Sequence, residues 1–511
     1  MPFPARAKGE ETKFRMKLTD LIFEEEFRSD SDISDIEVEN VTSDTSAVGE
    51  NSAFVLLPGV HFDTRKIVAF VMAKHPKAIL CESLADRADE KIPVMLVKNA
   101  RKTLSFMLSR YYGIDYEKMT FVGITGTNGK SSTAVMLTAA LRAAGKKVGL
   151  VATGRIEADG VRLTPDTYTM TTPDPALLYP SLAKMQAAGC DTVVMEISSH
   201  ALALEKVAPI PFAYALFTNL SPEHLDFHGN MREYAAAKSR LFAMAKTGIF
   251  NLDDPYAEEM IRDAPCRVLR VGAVERGEVY ATQIEDHGLD GISYLYCAGD
   301  LRFLVKLSVP GIHNVYNSML ALTAAVSLGV KPCVAKRALA ALPGIEGRME
   351  VIRGDDNITA VIDYAHTEAA LRSALHTARK STAGRLFVLF GCGGERDRAK
   401  RPTMASTAET LADEVIVTSD NRRTENAGTI LRDILAGFRK ENHRVISDRR
   451  RAISATVARM LPGDVLLIEG KGHERYTIDK KGIHAFDERK ILAEALKNRK
   501  GGHTTSHDSE S

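Results

Sequence analysis

The chain has 511 residues, which at about 150 residues per domain corresponds to roughly three domains. Its 67 Lys and Arg residues balance 66 Asp and Glu residues, so the net charge of +1 offers nucleic acid or an anionic membrane no general attraction. The six cysteines have no paired spacing, which speaks against a zinc cluster or a disulfide framework and favours a reducing, cytoplasmic setting. No run of 18 apolar residues occurs, so we expect no membrane insertion.

Short apolar strands alternate with amphipathic helices along most of the chain, a pattern typical of α/β domains with parallel sheets. We expect a smaller N-terminal α/β domain over residues 21–115 and a central domain with a parallel sheet over residues 116–345. A doubly wound α/β domain is predicted over residues 346–498. The polar ends, residues 1–20 and 499–511, are predicted to be a flexible N-terminus and a disordered tail.

A glycine-rich segment follows an apolar strand and precedes an Ala-rich helix, and it predicts a phosphate-binding loop. Backbone N–H groups at such a turn and at the start of a helix attract anions. Lys130 would reach the β- and γ-phosphates, and Ser131 would bind Mg²⁺. The glycine spacing departs from the strict P-loop motif. The predicted ATP-binding residues of this loop are Thr125, Gly126, Thr127, Asn128, Gly129, Lys130 and Ser131.

Polar residues follow two further apolar strands. Glu196 ends one strand, where an acid would lie beside a metal in an α/β sheet, and His224 follows the other. Lys238 comes shortly afterwards in a predicted helix. Each of these signals is common when it occurs alone.

In combination and in this order, the motifs resemble the Mur ligase family, whose members use ATP to add amino acids to the UDP-muramoyl precursor of peptidoglycan. The resemblance covers nearly the whole chain. It rests on T-G-T-N-G-K-S (125–131), E-I-S-S-H (196–200), T-N-L-S-P-E-H-L-D (218–226), Y-A-A-A-K (234–238), G-I-H-N-V-Y-N (311–317), G-R (347–348) and D-Y-A-H (363–366).

The resemblance implies that ATP phosphorylates a substrate carboxylate, which an incoming amine then attacks. It implies catalytic roles for Lys130, Lys238, His224 and Glu196. Mg²⁺ would be held by Ser131, Glu196, His224 and Lys238, the last as N6-carboxylysine formed with CO₂. Further ATP contacts are implied at Asn314, Asn317, Arg348, Asp363 and His366.

The same resemblance points to the branch of the family that adds the third residue of the stem peptide. Residues implied to bind the UDP-muramoyl peptide are Thr45, Ser46, Thr171, Thr172, Ser198 and Lys206. Lys206 stands where that branch commonly has Arg. The expected partners are therefore small molecules, namely ATP, the UDP-muramoyl dipeptide and a diamino acid, and we expect a monomer.

The amino acid is predicted from D-N-R-R at 420–423 and G-K-G-H-E at 470–474. In family members that add meso-diaminopimelate, similar motifs bind its distal end. The implied contacts are Arg396, Asp420, Asn421, Arg422, Arg423, Gly470 and Glu474. Arginines suit a carboxylate and an acid suits an ammonium, which favours diaminopimelate. Arg422 replaces the proline of the motif, so L-lysine and L-ornithine stay open as alternatives.

Two other functions are compatible with parts of the sequence. A folylpolyglutamate synthetase would share the phosphate loop and the lysine, but the block of about 115 residues ahead of the loop argues against it. An ATP-binding module without ligase activity would not need Glu196, His224 and Lys238 together with Lys130.

Overall fold

The computed structural model contains three large sheets, one in each of three α/β domains, which confirms the predicted fold class. The structure describes residues 15–22, 27–29, 31–58, 64–83 and 92–501. Residues 1–14 and 502–511, which make up most of the two predicted flexible ends, lie outside the described residues.

The N-terminal domain is a small, mostly parallel sheet. Its elements are β1 (Met16–Lys17), α1 (Leu18–Ile22), β2 (Phe27–Ser29), β3 (Glu37–Val38), β4 (Asn40–Thr42), β5 (Ser52–Val55), α2 (Thr64–Met72), β6 (Ala78–Cys81), β7 (Val94–Val97) and α3 (Ala100–Tyr111). The strand order is β2-β7-β6-β5-β4, and β2 alone in this sheet is antiparallel to its neighbour.

The central domain is built on an eleven-stranded sheet in the order β11-β10-β9-β12-β8-β13-β14-β15-β16-β17-β18. Its elements are β8 (Thr120–Thr125), α4 (Lys130–Ala143), β9 (Val148–Ala152), β10 (Arg155–Ala158), β11 (Val161–Arg162), α5 (Pro175–Ala187), β12 (Thr192–Glu196), α6 (Ser199–Ala203), β13 (Phe212–Phe217), α7 (Leu225–His228), α8 (Met231–Ala243), β14 (Ala245–Asn251), α9 (Ala257–Arg262), β15 (Arg267–Gly272), β16 (Val279–Asp286), β17 (Ile292–Ala298), β18 (Leu301–Leu307), α10 (His313–Ser327) and α11 (Pro332–Ala340). The seven strands from β9 to β16 in this order are parallel, and antiparallel strands extend both edges.

The C-terminal domain has a six-stranded sheet in the order β19-β20-β24-β21-β22-β23, followed by a hairpin of β25 and β26. Its elements are β19 (Glu350–Arg353), β20 (Thr359–Asp363), α12 (Glu368–Lys380), β21 (Leu386–Phe390), α13 (Lys400–Leu411), β22 (Glu414–Val417), α14 (Ala427–Leu435), β23 (His443–Val445), α15 (Arg449–Arg459), β24 (Val465–Glu469), β25 (Tyr476–Asp479), β26 (Gly482–Ala485) and α16 (Glu488–Gly501). The five strands other than β19 are parallel.

The central strands of both larger sheets are buried on both faces, which explains their unbroken apolar sequences. All five residues of β12 and of β21 are buried, for example. Within the described residues, no helix is both long enough and apolar enough to cross a bilayer.

The described parts of the two expected flexible ends are ordered. β1 pairs with β3, and α1 buries Leu18 and Leu21 completely. The segment up to residue 20 is therefore partly structured, because two apolar side chains anchor this short helix against the domain core. At the other end, α16 runs to Gly501, beyond the predicted boundary at residue 498.

Candidate active site

Three neighbouring strands of the central sheet, β12, β8 and β13, bring separate sequence motifs to one edge. The phosphate loop begins at Thr125, the last residue of β8. Glu196 ends β12 opposite Ile124, and Phe217 ends β13 opposite Thr125. Since parallel strands present their carboxyl ends at the same edge, residues far apart in the chain become neighbours there.

The phosphate loop, residues 125–131, turns sharply between β8 and α4. Gly129 has a φ of 84°, and a Cβ atom there would lie 2.3 Å from Asn317 Oδ1. Only glycine fits this turn without displacing α10. Lys130 Nζ donates to two carbonyl oxygens of the loop, at 2.9 and 2.8 Å, and burial lowers the pKa of this lysine.

The two asparagines of α10 that were predicted to contact ATP lie beneath this loop. Asn317 Nδ2 donates to Asn314 Oδ1 at 2.9 Å, and Asn314 Nδ2 donates to the carbonyl oxygen of Pro310 at 2.7 Å. Both side chains are buried. Their hydrogen bonds hold the start of α10 together, and only Asn317 packs against the loop, at Gly129, so a contact of either residue with ATP stays a prediction.

Glu196 is held in a fixed orientation at the end of β12. Its carboxylate accepts hydrogen bonds from the backbone N–H and the hydroxyl of Thr153, both at 3.0 Å. The residue is fully buried, yet it lines the cavity described below. Thr153 Oγ1 also lies 3.0 Å from Thr171 Oγ1, which links Glu196 to one of the predicted acceptor contacts.

His224 and Ser131 line the same cavity as Glu196, which brings three of the four predicted metal ligands together there. His224 has a left-handed backbone (φ 56°), and burial lowers the pKa of its imidazole, which favours the neutral form. A hydroxyl, a carboxylate and an imidazole fit a partly hydrated Mg²⁺. Among the described residues, no three His, Cys, Asp or Glu side chains gather closely enough to hold a metal by themselves.

Glu223, which the sequence analysis did not single out, connects the central and C-terminal domains. Its Oε1 lies 3.0 Å from His366 Nε2, and its Oε2 lies 3.8 Å from His224 Nε2. Burial alone would raise the pKa of Glu223, but His366 and His224 more than offset this and keep the carboxyl well below its ordinary pKa. The position of Glu223 directly before His224 in P-E-H was the available signal.

Lys238 is buried on α8, with 2% of its surface exposed, and does not line the cavity. Its Nζ donates to the carbonyl oxygen of Gly126 at 2.8 Å and lies 4.6 Å from the centre of the Tyr234 ring. Burial and the nearby Lys130 lower the pKa of Lys238 well below its ordinary value. The amine is therefore biased towards the neutral, nucleophilic form.

The C-terminal domain contributes the opposite wall of the site through the loops that follow β20, β24, β21 and β22, which are neighbours in the sheet. Two of them carry the predicted amino-acid motifs: the β22–α14 loop (residues 418–426) and the β24–β25 loop (residues 470–475). Asn421 joins these two loops, because its Nδ2 donates to Glu474 Oε2 at 2.7 Å and its Oδ1 accepts from Lys471 Nζ at 2.9 Å.

The acids of these loops differ in their environment. Burial raises the pKa of Glu474. Burial would also raise the pKa of Asp420, but the buried cations Lys471 and Arg449 hold it below its ordinary value. Both acids line the cavity, so the wall carries a firmly ionised group and a more easily protonated one.

The two consecutive arginines of the motif point to different sides of the β22–α14 loop. Arg423 lines the cavity, has a left-handed backbone (φ 51°) and donates from Nη1 to the carbonyl oxygen of Gly394 at 2.8 Å. Arg422 instead forms an ion pair with Asp479 at 3.1 Å. Arg422 is not one of the described residues that line the cavity, so its charge does not compete with that of Arg423 for a ligand there.

Arg401, on α13, ties the β22–α14 loop to the β21–α13 loop (residues 391–399). Its side chain is completely buried and donates to both carboxylate oxygens of Glu425 at 2.8 Å. It also donates to Asp433 at 2.8 Å and to the carbonyl oxygen of Gly393 at 3.3 Å. Arg401 could not be predicted from its neighbours in the sequence, because local sequence does not reveal that a charged side chain is buried.

One cavity of about 840 Å³ unites the two walls. Predicted site residues that line it are Thr127, Asn128, Gly129, Lys130, Ser131, Thr171, Glu196, His224, Arg348, His366, Arg396, Asp420, Asn421, Arg423, Gly470 and Glu474. Residues that line it without having been predicted include Thr153, Glu223, Tyr364 and Lys400. Arg348 crosses between the walls, because its Nη2 donates to Ser131 Oγ at 3.2 Å.

The structure does not bring every predicted residue to this cavity. Those outside its lining are Thr45, Ser46, Thr125, Gly126, Thr172, Ser198, Lys206, Lys238, Asn314, Asn317, Asp363 and Arg422. Several of them support neighbouring backbone: Thr172 Oγ1 accepts from the Ser198 N–H at 3.0 Å, and Asp363 Oδ1 accepts from the Met349 N–H at 2.9 Å.

The predicted acceptor residues lie in two places. Thr45 and Ser46 form a turn in the N-terminal domain, where Asp44 Oδ1 accepts from both the N–H and the hydroxyl of Ser46 at 2.8 Å. Lys206 lies on the central domain and forms an ion pair with Asp174 at 2.6 Å. A carboxylate of the acceptor would have to share Lys206 with Asp174.

An enzyme that activates a carboxylate with ATP and then joins it to an amino acid needs both walls of this cavity. The fold and the site therefore define an ATP-dependent acid–amine ligase. The Mur ligase middle domain matches residues 124–325, and the Mur ligase glutamate ligase domain matches residues 347–472. The chain belongs to the Mur ligase family.

Relatives of known function match over almost the whole length. A UDP-N-acetylmuramoyl-L-alanyl-D-glutamate–2,6-diaminopimelate ligase from Chlorobium phaeobacteroides is 37% identical over 480 residues, which cover 91% of this chain and 93% of that protein. The ligase of the same name from Chlorobaculum tepidum is 39% identical over 470 residues, covering 89% and 92%. A solved structure of a ligase of this name has a TM-score of 0.69 at 28% identity and covers 96% of this chain and all of that chain.

Proposed function

We propose that the protein adds meso-diaminopimelate to UDP-N-acetylmuramoyl-L-alanyl-D-glutamate in the synthesis of the peptidoglycan stem peptide. The observation that carries this proposal is the single cavity, which places Arg396, Arg423 and Glu474 opposite the phosphate loop. The distal end of diaminopimelate carries one carboxylate and one ammonium group, so both kinds of side chain find a partner. Lysine or ornithine would leave the arginines facing a like charge.

The reaction proceeds in two steps. The terminal carboxylate of the acceptor attacks the γ-phosphate of ATP, and ADP leaves. The amine of diaminopimelate then attacks the resulting acyl phosphate, loses a proton, and inorganic phosphate leaves. Lys130 and the N–H groups of the phosphate loop bind the nucleotide phosphates, and Arg348 beside Ser131 stabilises charge on the transferred group.

Four further residues are proposed to contact the nucleotide. We assign Asp363 and His366 to the ribose or phosphates, and Asn314 and Asn317 to the adenine and ribose region. Mg²⁺, held by Ser131, Glu196 and His224, would neutralise charge on the phosphates. We propose that the protein works as a monomer in the cytoplasm.

Lys238 is proposed to react with CO₂ and to act as a carbamate beside the metal. Its neutral amine attacks the carbon of CO₂, and the proton that is released leaves an N6-carboxylysine anion. The support is its burial, its contact with the loop carbonyl of Gly126 and its lowered pKa. An ordinary surface lysine would show none of these three features.

The acceptor is proposed to extend from the cavity to the N-terminal domain. Residues 21–115 would bind the UDP end, with Thr45 and Ser46 on its path. Thr171, Thr172, Ser198 and Lys206 would bind the muramoyl-peptide end. The support is the contact of Thr171 with Thr153, which in turn orients Glu196.

The test measures phosphate release by the purified protein with ATP, Mg²⁺ and UDP-N-acetylmuramoyl-L-alanyl-D-glutamate. Meso-diaminopimelate, L-lysine and L-ornithine are compared as amines, and products are identified by mass. We expect diaminopimelate to give the highest kcat/KM. A preference for lysine or ornithine would overturn the assignment of the amino acid. No turnover with any of the three would overturn the proposed acceptor.

A further inference from the structure

We propose that Asp479, a residue of the β25–β26 hairpin, positions the amino-acid-binding loop of the active site through its ion pair with Arg422. This inference rests on the proposed function, because it assigns Arg423 to the distal carboxylate of the amino acid. Asp479 itself would touch neither the substrate nor the nucleotide. It acts through Arg422 on the residue that follows in the chain.

The contact pattern shows that the β22–α14 loop is held against the hairpin at three consecutive residues. Ile478 forms two of these contacts, since its N–H donates to Asn421 Oδ1 at 3.0 Å and its carbonyl oxygen accepts from the Arg423 N–H at 3.1 Å. Between them, the Arg422 guanidinium reaches Asp479 at 3.1 Å. The loop is therefore fastened to β25 by one backbone hydrogen bond, one side-chain hydrogen bond and one ion pair.

Asp479 is well suited to hold a cation at this place. Its Oδ1 accepts from the Lys481 N–H and from His484 Nε2, both at 2.8 Å, which leaves Oδ2 for Arg422. These hydrogen bonds keep the pKa of Asp479 well below its ordinary value, so the carboxylate is charged at neutral pH. The hairpin turn thus presents a fixed anion to the loop.

Arg422 lies on the side of the loop that faces away from the active site. There it lines a separate cavity of about 150 Å³, whose other residues are mostly apolar. Arg423, the next residue, faces the active site from a left-handed backbone that costs free energy to maintain. A tether on Arg422 and the hydrogen bond from the Arg423 N–H together hold this backbone in place.

The central experiment replaces Asp479 by alanine and by asparagine and measures steady-state kinetics with ATP and diaminopimelate. We expect KM for diaminopimelate to rise about fivefold at most, because an ion pair this exposed contributes little. The values of kcat and of KM for ATP should stay within about twofold. A general loss of folding would instead lower kcat or the amount of active enzyme.

Two further variants separate the ion pair from other effects of substitution. The double variant Arg422→Asp with Asp479→Arg reverses the pair and should recover most of the lost affinity for the amino acid. Arg422→Pro removes the ion pair but should still give high affinity for the amino acid, because proline fixes φ and holds the loop without Asp479. Neither Arg422 nor Asn421 has a positive φ that would exclude the proline ring. Arg450→Ala, which removes another exposed ion pair of the same domain, is the matched control.

Salt gives an independent kinetic test. At about 1 M salt the Debye length falls to about 3 Å, which weakens exposed ion pairs. The KM for diaminopimelate of the wild type should therefore approach that of Asp479→Ala, whereas Arg422→Pro should show less of this increase. Equal salt sensitivity of wild type, Asp479→Ala and Arg422→Pro would overturn the proposal.

Hydrogen exchange tests the same tether without substrate. The amide of Arg423 should exchange faster in Asp479→Ala than in the wild type or in Arg450→Ala, because it donates to Ile478. Unchanged exchange would overturn the tether, whether or not any amino acid supports turnover. Absence of turnover with every amino acid would instead refute the proposed function. Faster exchange with an unchanged KM for a turned-over amino acid would refute the positioning role.

Discussion

Lys130, which lines the cavity, and the buried Lys238 both donate to the carbonyl oxygen of Gly126. Burial lowers the pKa of each lysine, and the charge of Lys130 lowers the pKa of Lys238 further. An isolated charged amine is expensive to bury, so a buried lysine pair favours a neutral form for one member. Converting Lys238 to a carbamate would replace like charges by opposite charges around the loop.

Replacing Lys238 by alanine should therefore abolish most turnover, and added acetate or formate should restore part of it. A short carboxylate can enter the space left by the side chain and supply the missing anion. Phosphate release with and without the added carboxylate measures the effect. Lys246→Ala, an exposed lysine on β14, serves as the control and should keep full activity with no response to carboxylates. Full activity of Lys238→Ala would refute the carbamate role.

A second prediction at the scale of single residues concerns Arg423. Its Nη1 is occupied by the carbonyl oxygen of Gly394, while the residue lines the cavity and can offer its other N–H groups to a carboxylate. Replacement by alanine should raise KM for diaminopimelate by about 10- to 100-fold, because a hydrogen bond to a charged group contributes about 1.5–3 kcal/mol. The KM for ATP should change little.

Steady-state kinetics with each substrate varied in turn checks this expectation. Arg444→Ala, an arginine of the same domain that pairs with Glu414, is a control with the same loss of charge. A larger effect of Arg423→Ala on ATP than on diaminopimelate would contradict the assignment of Arg423 to the amino acid.

At the scale of elements, much of the site follows from the rule that parallel strands present their carboxyl ends at one edge. Glu196 and the phosphate loop could be expected to meet, because each follows an apolar strand in the sequence. Contacts that depend on the path of loops could not be predicted. Asp479 lies 57 residues beyond Arg422, and no local pattern shows that the β25–β26 hairpin returns beside the loop.

The ends of the chain show the same difference between local and tertiary information. The sequence up to residue 20 is polar and has no apolar periodicity, yet β1 pairs with β3 and α1 buries Leu18. A two-residue strand and a five-residue helix have no periodicity to detect. Such elements are stable through what they pack against, and that information is absent from their own sequence.

The prediction at the scale of elements concerns Arg401, because this side chain holds two loops together. Arg401→Met should lower the free energy of unfolding of the C-terminal domain, since Glu425 and Asp433 lose a fully buried partner that donates charge-assisted hydrogen bonds to both. Urea unfolding followed by far-ultraviolet circular dichroism measures it, as the chain has no Trp. Arg398→Met removes a 58% exposed arginine from the same two acids and should cost less than about 1 kcal/mol.

The effect of Arg401→Met should also depend on pH. Hydrogen bonds from Arg401 lower the pKa of Glu425 from 4.5 to about 2. A carboxyl with a lowered pKa in the folded state adds stability above its ordinary pKa and loses it as the pH falls. The difference between wild type and Arg401→Met should therefore shrink below about pH 4.5, and a difference that grows there would contradict this account.

At the scale of the whole molecule, the site exists only where the C-terminal domain packs on the central domain. Arg348 with Ser131 and Glu223 with His366 join the domains at the cavity, and His473 packs close to Gly154 outside its lining. His473 belongs to the β24–β25 loop, and its ring lies 5.1 Å from that of Tyr364. Burial and nearby arginines lower the pKa of His473 to about 3, so it packs as a neutral ring.

Gly154 lies where this ring meets the central domain, and it allows a direct test of how domain packing affects function. A Cβ atom at Gly154 would lie 2.9 Å from His473 Cδ2, so Gly154→Ala must push the ring or the domain away. Its φ of 78° adds backbone strain. Gly160, in the turn between β10 and β11, has a similar φ of 87° and no atom within 4 Å of its Cβ position.

The comparison of Gly154→Ala with Gly160→Ala therefore isolates the contact between domains from the backbone strain that both share. We expect Gly154→Ala to raise KM for diaminopimelate about tenfold, which corresponds to about 1.4 kcal/mol, because Glu474 follows His473 directly. Its radius of gyration in solution scattering should increase, as the two walls separate. Gly160→Ala should change neither quantity. If both variants behaved alike, backbone strain in the turns at the two ends of β10 would explain the result. Domain packing at His473 would then not control amino-acid binding.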